Sequence, residues 1–194
     1  MKENNPSSLR IEFVRTHESA SRLEVKARMP SDVGAISPLV DRLTRVIEES
    51  HCVPGEEAAV GLAVREALCN AVLHGNCLDP RKLVQVHCRC ELGYGVSMMV
   101  KDQGNGFDPY EIPDPSVVGN LEAEHGRGIL LMRWLMDEVS FEFGYWGTKV
   151  HMRQEMERSP GWQQEIKAML IQTPLNNFLG PAIREARSKN TLRW

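Results

Sequence analysis

The chain has no run of about 18 apolar residues, so no segment of it reads as a membrane-spanning helix. Its first residues, Met1 to Arg10, lack the apolar centre of a secretory signal. It also lacks a basic excess. The net charge is −3, whereas a general nucleic-acid binder needs a cationic face. The expectation is a cytoplasmic protein that touches neither membrane nor nucleic acid directly. No C-x-x-C pair occurs, and the five cysteines (Cys52, Cys69, Cys77, Cys88 and Cys90) are odd in number. Both facts argue against a disulfide framework or a zinc ribbon. There are no internal repeats.

With 42% hydrophobic and 25% charged residues, the composition is that of a globular protein. A length of 194 residues favours one domain with an appendage. Such a domain folds without disulfides or structural metal.

Alternating apolar residues Ile11, Phe13, then Leu23, Val25 and Ala27, predict a β-hairpin with a polar turn around Thr16 to Ser21. Pro30-Ser31-Asp32 starts a helix over about 33–50. Pro54-Gly55 breaks the chain, and a second helix runs from about Glu56 to His74. Strands follow around 84–90 and 96–100. A long loop, rich in proline and acids, occupies 109–125. A third helix over 127–136 and two strands, around 139–143 and 148–152, complete the domain. Hairpins segregated from helices predict an α+β two-layer sandwich, with a mainly antiparallel mixed sheet and helices on one face. Cys88 and Cys90 share a strand face with Val84 and Val86 and read as buried small hydrophobes. His87 alternates to the opposite face, which weakens a metal site built from the three.

The second helix carries an anomaly. On a helical wheel Val60, Ala63, Val64, Ala67 and Ala71 form one apolar arc, and Leu62, Cys69 and Leu73 cover much of the other side. Between them run Glu66, Asn70 and His74, at i, i+4 and i+8. The stripe either faces solvent or lines a pocket. In a pocket, Asn70 offers an oxygen ligand to a partly hydrated Mg²⁺, which takes few protein ligands. Glu66, one turn earlier, can take a proton from an attacking hydroxyl.

Two glycine clusters follow. Asp102-Gln103-Gly104-Asn105-Gly106 closes a strand. There Asp102 can accept a hydrogen bond from an exocyclic amine, and the glycines permit close backbone approach. It also reads as a tight turn; the further carboxylates of an EF-hand are missing. Gly126-Arg127-Gly128 opens an apolar helix, where free N–H groups and the helix dipole favour an anion, though alone it more often reads as a structural turn. Neither a P-loop nor a dinucleotide fingerprint is present. Thr148, after Gly147, falls on the core face of the last strand, where its hydroxyl needs a backbone or ligand partner.

Together, Glu66-x-x-x-Asn70-Ala71-x-x-His74-Gly75, Asp102-x-Gly104-x-Gly106, Gly126-Arg127-Gly128 and Gly147-Thr148 resemble the ordered motifs of the GHKL ATPase and kinase superfamily. Within it, Asp102 to Pro109 and Gly128-Ile129-Leu130-Leu131-Met132 with Met136-Asp137-Glu138-Val139 are similar to the anti-sigma factor serine/threonine kinases. The resemblance covers about 10–153. It leaves 1–9 as a flexible terminus and 154–194 as a C-terminal extension, helical by the spacing of Trp162, Ile166, Met169 and Leu170.

The resemblance implies a Bergerat-type fold that binds ATP and Mg²⁺. Glu66 would be the catalytic base, Asn70 the metal ligand and Asp102 the receptor of the adenine amine. Gly104 and Gly106 would lie beside the base, and Gly126, Arg127 and Gly128 at the phosphates. His74 and Thr148 would also line the cofactor site. The implied partners are a sigma factor and a STAS-domain anti-anti-sigma protein phosphorylated on serine, with a homodimer as the assembly. The sequence departs from the family in the lid. Glu124 and His125 stand where relatives can carry a basic residue, and Arg127 lies between the glycines. Arg127 is therefore the expected source of charge stabilisation in phosphoryl transfer. The alternative is a weakly catalytic or non-catalytic ATP-binding module that acts by sequestering its partner. Sensor histidine kinases need a phosphoacceptor on an upstream helix pair, and only His17 precedes the first predicted helix.

Overall fold

The computed structural model describes residues 10–14, 21–105, 127–156, 167–169 and 171–172, with residues 10–14 and Arg127 described by backbone alone. Among the described residues six strands form one sheet: β1 (Arg10–Val14), β2 (Arg22–Pro30), β3 (Leu83–Glu91), β4 (Gly95–Lys101), β5 (Glu138–Gly144) and β6 (Gly147–Glu155). Their spatial order is β1-β2-β3-β4-β6-β5. Every pair is antiparallel, which sharpens the mainly antiparallel expectation.

Register follows the apolar alternation. Val25 pairs with Cys88, Cys88 with Met98, Met98 with Met152, and Met152 with Val139. The next row runs Ala27, Val86, Val100, Val150 and Phe141. A slip of one residue would turn both rows away from the core. Cys88 and Cys90 are buried in it, as the alternation predicts. His87 lies on the other face, where its Nε2 meets Glu24 Oε1 at 2.6 Å. That contact, with Arg89 beside it, holds the Glu24 carboxyl below its usual range despite burial.

Among the described residues, the helices cover the apolar face. α1 (Ile36–Ser50) buries Ile36, Leu39, Val40, Leu43, Val46 and Ile47 as a single stripe. The expected start at Val33 is instead a 3-10 turn, Val33–Ala35, capped by Asp32 Oδ1 accepting from Gly34 N at 2.7 Å. Pro38 explains the delay, because its ring would clash with the carbonyl four residues back in a longer α-helix.

α2 (Glu57–Asn70) lies between α1 and α3 (Arg127–Leu135) and packs on β4. That central position is why α2 is apolar nearly all round. Its contact with α1 is close: a Cβ on Gly61 would sit 2.8 Å from Thr44 Oγ1. α2 does not continue as an α-helix to His74. It ends at Asn70, and a π-helical turn, Ala71–Gly75, follows.

The polar turn at 16–20, the loop at 109–125, Trp162, Ile166, Leu170 and the basic tail residues Arg184, Arg187, Lys189 and Arg193 lie outside the described residues. Part of the extension is helical, at 167–169 and 171–172. It meets the domain through Lys167, which is buried.

Candidate functional site

Glu66 does not face solvent. It sits on the side of α2 that meets α3, with 3% of its surface exposed. Its Oε1 is buried without a hydrogen-bond partner among the described residues. Burial pushes its carboxyl up to about 7, and Arg65 only partly opposes this. Such burial costs a few kcal/mol unless something pairs with the group. Asn70, one turn on, is half-buried.

The start of α3 closes over both side chains. A Cβ on Gly128 would lie 2.9 Å from Glu66 Oε2 and 3.3 Å from Asn70 Nδ2. The two motifs are about 60 residues apart in sequence, yet only the absence of a side chain at Gly128 lets them meet.

A second group forms where β4 ends and β6 begins. Asp102 is 4% exposed. Its Oδ1 accepts from Gly104 N at 2.8 Å and Thr148 N at 3.0 Å. The main chains pair as well, Asp102 N donating to Thr148 O at 3.0 Å. Asp102 Oδ2 is pressed towards Gly75 so closely that a Cβ there would collide with it. Gly147, at φ +100°, meets the same carboxyl from the other side. Thr148 is buried, and its Oγ1 has no hydrogen-bond partner among the described residues.

The π-turn links the two groups. It carries Gly75 from the end of α2 to the Asp102 side chain, and Asn76 N closes it on Ala71 O at 2.8 Å. Turns of this kind inside helices are frequent at functional sites. His74 lies on the turn with its side chain exposed. Gly106, Gly126, Glu124 and His125 lie outside the described residues, as does the side chain of Arg127.

Two contributors escape the motif reading. Asn76 is fully buried, and its Oδ1 accepts from Gln103 N at 2.8 Å. Gln103 Oε1 in turn accepts from Leu83 N at 2.6 Å. An asparagine after His-Gly reads as an ordinary turn residue, so its burial carries no local signal.

The chemistry of the two groups differs. Glu66 is a buried carboxyl poised near neutrality, and Asn70 offers one neutral oxygen. The described residues hold no cluster of three or more metal-ligating side chains. A hydrated Mg²⁺ shared with phosphates does not require one. At the other end, Asp102 and Thr148 offer hydrogen bonds between glycine backbones, a setting for the polar edge of a flat ring. A separate cleft of about 340 Å³, lined by Lys26, Arg28, Gln85 and His87 among others, opens on the opposite sheet face and includes none of these residues.

Known proteins bear on this arrangement. The family model for the "Histidine kinase-like ATPase domain" matches residues 29–154. The chain is 30% identical over 146 residues to the anti-sigma F factor of Geobacillus kaustophilus, covering 74% of this chain and 87% of that one. It is 31% identical over 128 residues to the anti-sigma F factor of Geobacillus stearothermophilus, covering 65% and 75%. Among solved structures, the histidine kinase domain of a blue-light activated histidine kinase from Erythrobacter litoralis aligns with a TM-score of 0.44 at 18% identity, over 72% of this chain and 65% of that one. The family match spans the strands and helices that carry Glu66, Asn70, Asp102 and Thr148, and the chain belongs to the histidine kinase-like ATPase family, among the anti-sigma factor kinases.

Proposed function

We infer that the chain is an Mg-ATP-dependent serine kinase that modifies a STAS-type anti-anti-sigma protein and sequesters a sigma factor. The carrying observation is the buried Glu66 carboxyl under Gly128, with Asn70 beside it. A carboxyl held near neutrality is a suitable general base for a serine hydroxyl. It retains a buried oxygen with no partner among the described residues to receive that proton.

The other residues serve binding. Asn70 would hold Mg²⁺, whose charge stabilises the phosphates when bound. Asp102 would receive the adenine amine, with Thr148, Gly104 and Gly106 at the base. Gly126 and Gly128 would offer backbone N–H groups to phosphate at the start of α3. Arg127 would add the positive charge that Glu124 and His125 do not bring to the lid. His74, at the edge of the turn, would line the entrance. On this reading the protein works in the cytoplasm as a homodimer, as the family resemblance implies. No described helix is long and apolar enough to cross a membrane.

The test is transfer from γ-labelled ATP to a STAS partner protein. Wild type should label a serine, and Glu66→Gln should lose the label while still binding ATP. Equal transfer by Glu66→Ala would overturn the kinase reading. Partner binding without transfer by wild type would instead support the sequestering module.

A further inference from the structure

We propose that Asn76 is a positioning residue for base recognition, holding the Asp102 loop in register with the end of α2. The proposal rests on the reading that Asp102 receives an exocyclic amine of the nucleotide.

Three segments meet at Asn76. It ends the π-turn with its N–H on Ala71 O at 2.8 Å. Its Oδ1 accepts from Gln103 N at 2.8 Å, the residue directly after Asp102. Its Nδ2 donates to Leu83 O at 3.2 Å, at the start of β3. Gln103 completes the bracket from the other side, its Oε1 accepting from Leu83 N at 2.6 Å. Two side-chain amides therefore hold both polar groups of Leu83 and tie the α2 end, β3 and the Asp102 loop into one unit.

The chain spends backbone freedom to make this join. Cys77 and Leu78 follow with φ of 55° and 57°, a left-handed conformation that non-glycine residues rarely adopt. Asn76 is 0% exposed, so bulk water does not compete for its bonds. Gly75 and Gly104 are in backbone contact within the bracket, since a Cβ on Gly104 would collide with the Gly75 carbonyl. The Asp102 carboxyl touches both, with Oδ2 against Gly75 and Oδ1 accepting from Gly104 N. The orientation of its Oδ2 thus depends on a separation of the two loops that Asn76 sets. Asn76 itself lies a residue beyond the carboxyl's own contacts. It acts through Asp102, not on the ligand.

This assigns a specific signature. Loosening the bracket should damage recognition of the amine more than recognition of phosphate, which involves the Glu66, Asn70 and Gly128 end. The experiment compares ATP with purine riboside triphosphate, which lacks the amine, by calorimetry on the full chain. Wild type should prefer ATP. Asn76→Ala and the milder Gln103→Ala, a change at an exposed side chain, should lower ATP affinity about tenfold and cut that preference, leaving affinity for the amine-free analogue nearly unchanged.

A second readout needs no ligand. Exchange of the Gly104 and Thr148 amides, both bonded to Asp102 Oδ1, should accelerate in either variant. Equal losses for the two nucleotides, or unaltered amide exchange in folded protein, would overturn the proposal. If wild type bound neither nucleotide, the ATP reading would fall. The exchange result would still decide whether Asn76 positions Asp102.

Discussion

The backbone of Gly128 closes over the carboxyl of Glu66, and a single added methyl group at Gly128 would come within 2.9 Å of Glu66 Oε2. The α2–α3 junction thus buries a carboxyl under a backbone with no side chain, and on the proposed reading it must also admit the phosphates.

Gly128→Ala separates these two roles. Alanine favours helix by about 1 kcal/mol over glycine, and overpacking costs about 1–3 kcal/mol. Net stability should fall by about 0–2 kcal/mol. ATP affinity should fall about tenfold or more, because Glu66 and Asn70 must move. Thermal unfolding and calorimetry report the two effects separately, and unchanged affinity would place the phosphates elsewhere.

Glu66 gives a pH signature with a definite sign. Its carboxyl is raised from 4.5 to about 7 by burial, so the folded state binds the proton more tightly than the unfolded state. Its favourable contribution is complete below pH 4.5 and is lost as pH rises through 7. The span corresponds to about 3 kcal/mol. Glu66→Gln should remove this pH dependence, leaving the variant more stable than wild type at pH 8 by denaturant unfolding. The proposed transfer reaction needs the ionised carboxylate and should rise with pH over the same range.

Much of this site is visible in the sequence because the chemistry conflicts with local packing. A carboxylate and an amide at i, i+4 on an otherwise apolar helix demand an explanation, and Gly128 over Glu66 is part of it. Likewise, alternation over 84–90 predicts which face of β3 is buried. The π-turn is not visible, since it depends on Gly75 reaching Asp102, a contact 27 residues along the chain. Nor is the docking of the extension. Helical spacing singles out Met169, yet Met169 is 61% exposed while Lys167 is buried. A lysine reads as solvent-facing until its partner is known, and Glu56 lies 111 residues away.

That lysine carries its own prediction. Lys167 Nζ meets Glu56 Oε2 at 3.0 Å and Gln154 Oε1 at 3.2 Å. Gln154 is itself fully buried and donates to Asp137 Oδ2 at 2.7 Å. Removing one member of a buried ion pair strands the other, at about 3 kcal/mol. Lys167→Met should show that loss in denaturant unfolding, and Lys167→Met with Glu56→Gln should recover part of it. Additive losses would mean that the two side chains do not interact energetically.

Thr148 separates folding from binding most cleanly. Its hydroxyl is buried and unmatched among the described residues, while its backbone N–H and carbonyl both bond to Asp102. Thr148→Val keeps the shape and both backbone bonds and removes only the hydroxyl. An unmade buried hydrogen bond costs about 1–3 kcal/mol, so the folded protein should be as stable as wild type or more so. If the hydroxyl serves the nucleotide base, ATP affinity should fall about tenfold, equivalent to about 1.4 kcal/mol. Thr148→Ser retains the hydroxyl and should keep the affinity despite losing a packed methyl group. The opposite pattern, with valine destabilising the fold and leaving ATP binding intact, would make Thr148 a packing residue and leave Asp102 as the polar contact to the base.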